Sequence, residues 1–189
     1  MTEVSKMGMG DSVDVALHRG RVRDSKLAIG GNVVVALYGP DMELKYHEVG
    51  ENLVTDYGDQ HVGERMYDDT FDIVTGMRLG TGTTAASKAG AGAAIVTYEP
   101  ASQEALDAVP VGVDKGAGLG WRVPHICTWI AGDVTEVALA EVVLTDETPI
   151  TDVAGVVGDT VARFVFGATI DKQAGDSLVV TWNVDFLGA

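Results

Sequence analysis

One cysteine, Cys127, stands among 189 residues, so no disulfide can close within the chain and every multi-cysteine metal site is excluded. Apolar runs are short, and none approaches the ~18 residues that a membrane-crossing helix needs. The first residues, MTEVSKMGMGDSVDV, hold no hydrophobic stretch of signal-peptide type, so synthesis in a cytoplasm is expected. No Asn-x-Ser/Thr acceptor occurs. Aromatics make up only 6%, and 13 Lys plus Arg face 28 Asp plus Glu, a formal net charge of −15. Nucleic acids and anionic membranes select a basic face, so neither is an expected partner.

Glycine is plentiful, with 24 residues, and hydrophobic residues reach 46%. The length predicts one domain with a core of its own. Residues 1–30 differ from the rest: scattered polar residues, repeated glycines and no sustained period. Within them, HRGRVRDSK concentrates Arg19, Arg21, Arg23 and Lys26. In an extended segment Arg19, Arg21 and Arg23 fall on one side. Two readings fit: a solvated terminus, or an arm that docks on an acidic neighbour, such as a second copy of this chain. The expected organisation is an arm over residues 1–30 and a β-sandwich over 31–189.

From Asn32 a β-branched run, NVVVALYG, meets the turn cluster Gly39-Pro40-Asp41 and returns as MELKYHEV, a hairpin. Thr55 to Tyr67 spaces its apolar residues at helical intervals, with Thr55 or Asp56 as the cap and Gly58 and Gly63 as weak points. Residues 71–80 read as a strand leading into GTGTTAASKAGAG, a long turn-rich loop. Its Gly80 and Gly82 are expected to supply backbone conformations that other residues avoid, a positive φ, with close packing as the alternative. WRVPHICTWIAG alternates Trp121, Val123, His125, Cys127 and Trp129 on one face, and Pro124 places it at an edge or a bulge. EVALAEVVLTD is apolar on both faces and reads as central. VARFVFGATI sets Ala162, Phe164, Phe166, Ala168 and Ile170 on one face. SLVVTWNVDF turns Leu178, Val180, Trp182, Val184 and Phe186 inward. Short strands with glycine-rich turns and a single short helix predict an all-β fold, a jelly-roll-like antiparallel sandwich.

Chemistry-bearing patterns are weak. Gly80-Thr81-Gly82-Thr83-Thr84 matches a loose dinucleotide fingerprint, but SKAGAG, not a helix, follows it. No lysine follows a glycine, so there is no phosphate loop. His125 and Cys127 share a strand face and could pair as base and nucleophile or as metal ligands, but a buried structural cysteine is the simpler reading. Asp68, Asp69 and Asp72, or Asp171 with Asp176, could approach a cation, but their spacing matches no calcium loop. The residues therefore assign no catalytic, cofactor-binding or metal-ligating position, no cofactor is expected, and the chain reads as a protein that works by contact.

Three ordered segments, ENLVTDYGDQHVGERM, MRLGTGTTAAS and VARFVFGATIDKQAGDSLVVTWNVDF, resemble small structural proteins of tailed bacteriophages. The likeness rests on Asn52, on Gly80 to Thr84, on Lys172 and Asp176, and on Thr181-Trp182, and it covers residues 31–189. The sequence departs from that pattern at 146–158, with Thr135 to Leu139 the nearest counterpart. The resemblance implies a virion protein without enzymatic activity. A head decoration (cement) protein is the leading expectation. It would form a homo-oligomer, a trimer before a dimer, and clamp the major capsid protein or other virion proteins. Arg19, Arg21, Arg23 and Lys26 would then be assembly contacts. A tail-fibre or baseplate module and a carbohydrate-binding sandwich are the alternatives.

Overall fold

A computed structural model describes residues 28–117 and 119–187. The arm residues Arg19, Arg21, Arg23 and Lys26 lie outside the described residues. The strands are β1 (Ala28–Tyr38), β2 (Leu44–Glu51), β3 (Leu53–Val54), β4 (Gly76–Gly80), β5 (Glu104–Ala105), β6 (Val113–Asp114), β7 (Trp121–Trp129), β8 (Glu136–Thr145), β9 (Thr160–Lys172) and β10 (Ser177–Leu187). One helix, α1 (Asp56–Arg65), lies between β3 and β4. The strands form two five-stranded antiparallel sheets, ordered β2-β1-β10-β7-β6 and β3-β9-β8-β4-β5. The fold is an all-β sandwich, as the alternating strands require. The first strand begins at Ala28 rather than after residue 30, because Ala28, Ile29 and Gly30 continue the ladder with Leu187, Phe186 and Asp185.

The core lies between the sheets. From the first sheet come Val33, Val35, Leu37, Cys127, Trp129, Leu178, Val180 and Trp182; from the second come Met77, Leu79, Val142, Leu144, Ala162, Phe164, Phe166 and Ile170. Each set follows the two-residue period of a strand. Ala168, expected inside with its neighbours, is exposed toward the far end of β9. Pro124 lies on β7 opposite Asn183, beyond the two-residue ladder that β6 makes with Trp121 and Arg122, so its missing N–H costs no pairing to that side. The predicted strand over 71–80 is shorter than its sequence suggested: only residues 76–80 pair, and the preceding residues form turns and coil.

The outer face of the second sheet is not open to water. Register sets Arg78, Val143 and Arg163 in one row and Gly80, Glu141 and Val165 in the next. Arg78, Glu141, Val143 and Arg163 are fully buried. The glycine-rich loop folds back over this face. Glu141 accepts hydrogen bonds from the backbone N–H groups of Gly82, Val96 and Thr97 at 2.9–3.1 Å. Arg163 donates to Glu141 at 2.8 Å and to the carbonyls of Gly92 and Thr84 at 3.1 and 2.8 Å. The ion pair therefore acts as a buried bracket that holds the loop to the sheet.

That bracket corrects the expectation for Gly80 and Gly82. Among the described residues the glycines with positive φ are Gly31, Gly90, Gly116, Gly120 and Gly132. A Cβ on Gly82 would lie 2.4 Å from Glu141 Oε1, and one on Gly80 would lie 2.4 Å from the Thr97 carbonyl oxygen. These glycines are needed because backbone passes close to the buried carboxylate and its loop, not because of their φ.

Candidate functional site

The helix seats one wall of a cleft at the end of the sandwich. Thr55 caps α1: its Oγ1 accepts from Gly58 N at 2.9 Å and donates to the Thr160 carbonyl at 2.6 Å, so a single hydroxyl joins helix start to β9. A Cβ at Gly58 would lie 2.1 Å from the Val161 carbonyl oxygen, so the glycine that weakens the helix also lets it lie against β9. One helical turn apart, Tyr57 and His61 share a face. Both reach Asp146 Oδ2 at 2.7 Å, the tyrosine as O–H donor and the histidine through Nδ1. Burial, and then the bond to Asp146, raises the Tyr57 phenol above its ordinary range. Phe71 meets the His61 ring edge-on, with centroids 5.4 Å apart.

Opposite, β7 and β10 bring His125, Val123, Val184 and Phe186 to the same cleft, and Val62, Arg65, Ile73, Val74, Val109, Pro110 and Val161 complete it. Its volume is about 320 Å³. The lining is apolar except for two imidazoles and one guanidinium. His125 is buried, and its Nδ1 has no hydrogen-bond partner. Burial holds its pKa down at about 4; the nearby carbonyls of Trp182 and Val123 pull the other way, and His61 adds to the depression. Arg65 donates to the carbonyls of Phe71 and Asp69.

Among the described residues no hydrogen bond joins His125 to Cys127. The Cys127 thiol is fully buried, lies against the carbonyls of Glu104 and Ala105 at 3.5 and 3.4 Å, and is pushed up by burial. A thiol held neutral beside an imidazole held neutral is the opposite of an activated thiolate–imidazolium couple. The acidic turns are used locally. Asp68 accepts from Thr70 N and Oγ1, and Asp176 accepts from Lys45 at 2.6 Å and Gln173 N at 3.0 Å. Lys172 is buried and donates to the Ile130 and Asp133 carbonyls at 3.2 and 2.6 Å. Among the described residues no group of three or more His, Cys, Asp or Glu side chains could hold a metal ion.

Sequence reasoning missed the Asp146–His61–Tyr57 cluster, because Asp146, just past the end of β8, lies 85 residues beyond His61 in the chain and only the docking of α1 against the second sheet brings it to the helix. It also missed the Glu141–Arg163 bracket, whose signal was present: a lone acid inside a strand apolar on both faces must find a partner.

A second surface is open rather than concave. On the outer face of the first sheet, Val34 stands beside Val49 and Thr181, Ala36 beside Val179, and Thr181 beside Ile126. Val49 and Ile126 are exposed. Polar groups bound the patch: Asn32 with Asn183 at 3.0 Å, and Asp185 held by Arg122 at 2.7 Å and Lys115 at 2.8 Å. Against known proteins, no family model, curated protein or solved structure matches this chain.

Proposed function

We propose that this chain is a virion structural protein of a tailed bacteriophage, a head decoration protein that stabilises the shell by contact. The observation that carries the reading is the open apolar strand face of the first sheet. Val34, Val49, Val179 and Ile126 form a contiguous, polar-bounded surface of the kind that marks a protein contact. The residues of the phage resemblance also have physical roles here. Gly80 and Gly82 admit the Glu141 bracket, Asp176 closes the final turn, Lys172 ties the end of β9 to the β7–β8 turn, and Trp182 fills the core. The arm residues Arg19, Arg21 and Arg23 would add electrostatic contacts to an acidic shell or a neighbouring copy.

Quantitative gels of purified particles test the reading. A decoration protein is present in hundreds of copies on heads; a few copies would move the chain to the tail, and its absence from particles would overturn the virion reading. Val49→Glu with Ile126→Glu should leave the melting temperature nearly unchanged and weaken attachment. Reversing Arg19, Arg21 and Arg23 to glutamate should weaken it further as salt rises.

A further inference from the structure

The cleft beside α1 is an apolar space that the described residues leave partly uncovered. Val62, Val74, Val184 and Phe186 line it, and so do Ile73 and Val109, which are 52% and 80% exposed. Large apolar side chains gathered at one opening mark a contact. The way the chain enters the fold brings one segment to this place. β1 begins at Ala28, opposite Leu187, and its second residue, Ile29, stands opposite Phe186. Residues directly opposite in an antiparallel pair share a face, so Ile29 and Phe186 lie on the same side of the sheet, one strand spacing of about 4.8 Å apart. The 27 residues that precede Ala28 therefore join the sandwich at the edge of the cleft. Their sequence holds one short alternation of apolar residues: Val13, Val15 and Leu17, set against Ser12, Asp14 and Ala16. An extended segment puts those three on one side. Residues 18–27 separate Leu17 from Ala28. They supply a reach of roughly 33 Å, and Gly20 among them allows the chain to reverse.

We propose that residues 12–17 of this same chain occupy the cleft as an extended segment, with Val13, Val15 and Leu17 against the wall that Ile73, Val109 and Phe186 form. Ser12 and Asp14 then turn to water. The tether favours this occupant over a second copy. A short connection holds a segment beside its site at millimolar effective concentration, which separate copies match only when the protein itself is that concentrated. An anionic ligand fits less well, because the guanidinium of the wall, Arg65, already donates to the carbonyls of Asp69 and Phe71. Residues 18–27, with Arg19, Arg21 and Arg23, stay outside the cleft. The inference is therefore independent of the virion reading and of the contacts that reading gives to those arginines.

The test uses the full chain, with a nitroxide on Ser12→Cys and ¹³C-methyl NMR as the readout. Cys127 is fully buried and its thiol is pushed up by burial, so the label attaches at the new thiol. The nitroxide should broaden the methyl resonances of Ile73 and Val109. Those of Leu44, paired with Tyr38 at the other end of β1, should stay sharp. An equal mixture of nitroxide-bearing chain without ¹³C and ¹³C-labelled chain without nitroxide should show no broadening. Val15→Asp with Leu17→Asp sets two charges against an apolar wall. It should abolish the broadening and raise severalfold the relaxation of the Ile73 and Val109 methyls by a soluble gadolinium chelate. Should that variant aggregate, the single-label chain and the mixture decide the matter. Broadening in the mixture would give the cleft to a second copy. Methyls shielded from the chelate but not broadened would give it to a separate ligand or partner. Methyls open to the chelate in the wild-type chain would leave it uncovered. Each of these three results would overturn the proposal.

Discussion

Replacing Glu141 with glutamine removes one charge from the bracket and keeps its shape. The wild-type carboxylate serves three backbone N–H groups and Arg163, and both side chains are fully buried. In Glu141→Gln the guanidinium keeps the Gly92 and Thr84 carbonyls but loses its counter-charge. Breaking one side of a buried ion pair costs about 3–5 kcal/mol. With a urea m-value of about 2 kcal/mol/M, a loss of about 4 kcal/mol lowers the unfolding midpoint by about 2 M. Trp129 and Trp182 are fully buried, so tryptophan fluorescence reports the transition. Because the pair is dry, the deficit should persist in about 0.5 M NaCl, where surface pairs are screened. The double variant Glu141→Leu with Arg163→Met separates two accounts. For an isolated pair, apolar replacement is often neutral. Here it also strands the N–H groups of Gly82, Val96 and Thr97, at about 1–3 kcal/mol for each one that stays buried. The double variant should therefore remain clearly less stable than wild type. A Glu141→Gln midpoint within experimental error of wild type, or full stability in the double variant, would refute the reasoning: the loop would then be solvated and the bracket incidental.

Gly82→Ala should destabilise by about 1–3 kcal/mol, because the new methyl meets Glu141 Oε1 and Val96 at 2.4 and 2.7 Å; an unchanged midpoint would mean that the loop moves freely. Trp182→Ala should cost about 3–5 kcal/mol in the same urea assay, since the ring is fully buried between the sheets, and a smaller loss would show that the cavity collapses. His125 sets a pH dependence whose sign is fixed by its depressed pKa of about 4 against an ordinary 6.5. As pH falls the unfolded chain takes up the proton first, so the stability due to a neutral ring is full above about pH 6.5, declines toward about pH 4 and is level below. His125→Phe should flatten that part of the melting-temperature profile, and parallel profiles for the two proteins would show that the ring is solvated.

The strands were legible where one face meets the core and the other meets water. In β10, Leu178, Val180 and Trp182 alternate with half-buried Val179 and Thr181, and a period of two leaves no other assignment. The hairpin of β1 and β2 and the Thr55 cap were legible for the same local reason, because neighbours in sequence satisfy them. The second sheet broke the rule. Its outer face is covered by a loop, so Arg78, Glu141 and Arg163 are buried where alternation alone would place them in solvent. A charged residue in a strand carries no mark of whether a loop will return to cover it. The mark lies in the cover: a loop rich in glycine can bring its N–H groups onto a carboxylate because no Cβ intervenes, and a loop that did so would need such a carboxylate beneath it. Gly80 and Gly82 and the Glu141 inside EVALAEVVLTD are thus two halves of one signal, and neither half is interpretable alone. The cleft follows the same logic at longer range. His61 and His125 sit in patterns that are unremarkable separately, and only the close seating of α1 on β9, permitted by Gly58, gives them a shared apolar space to face.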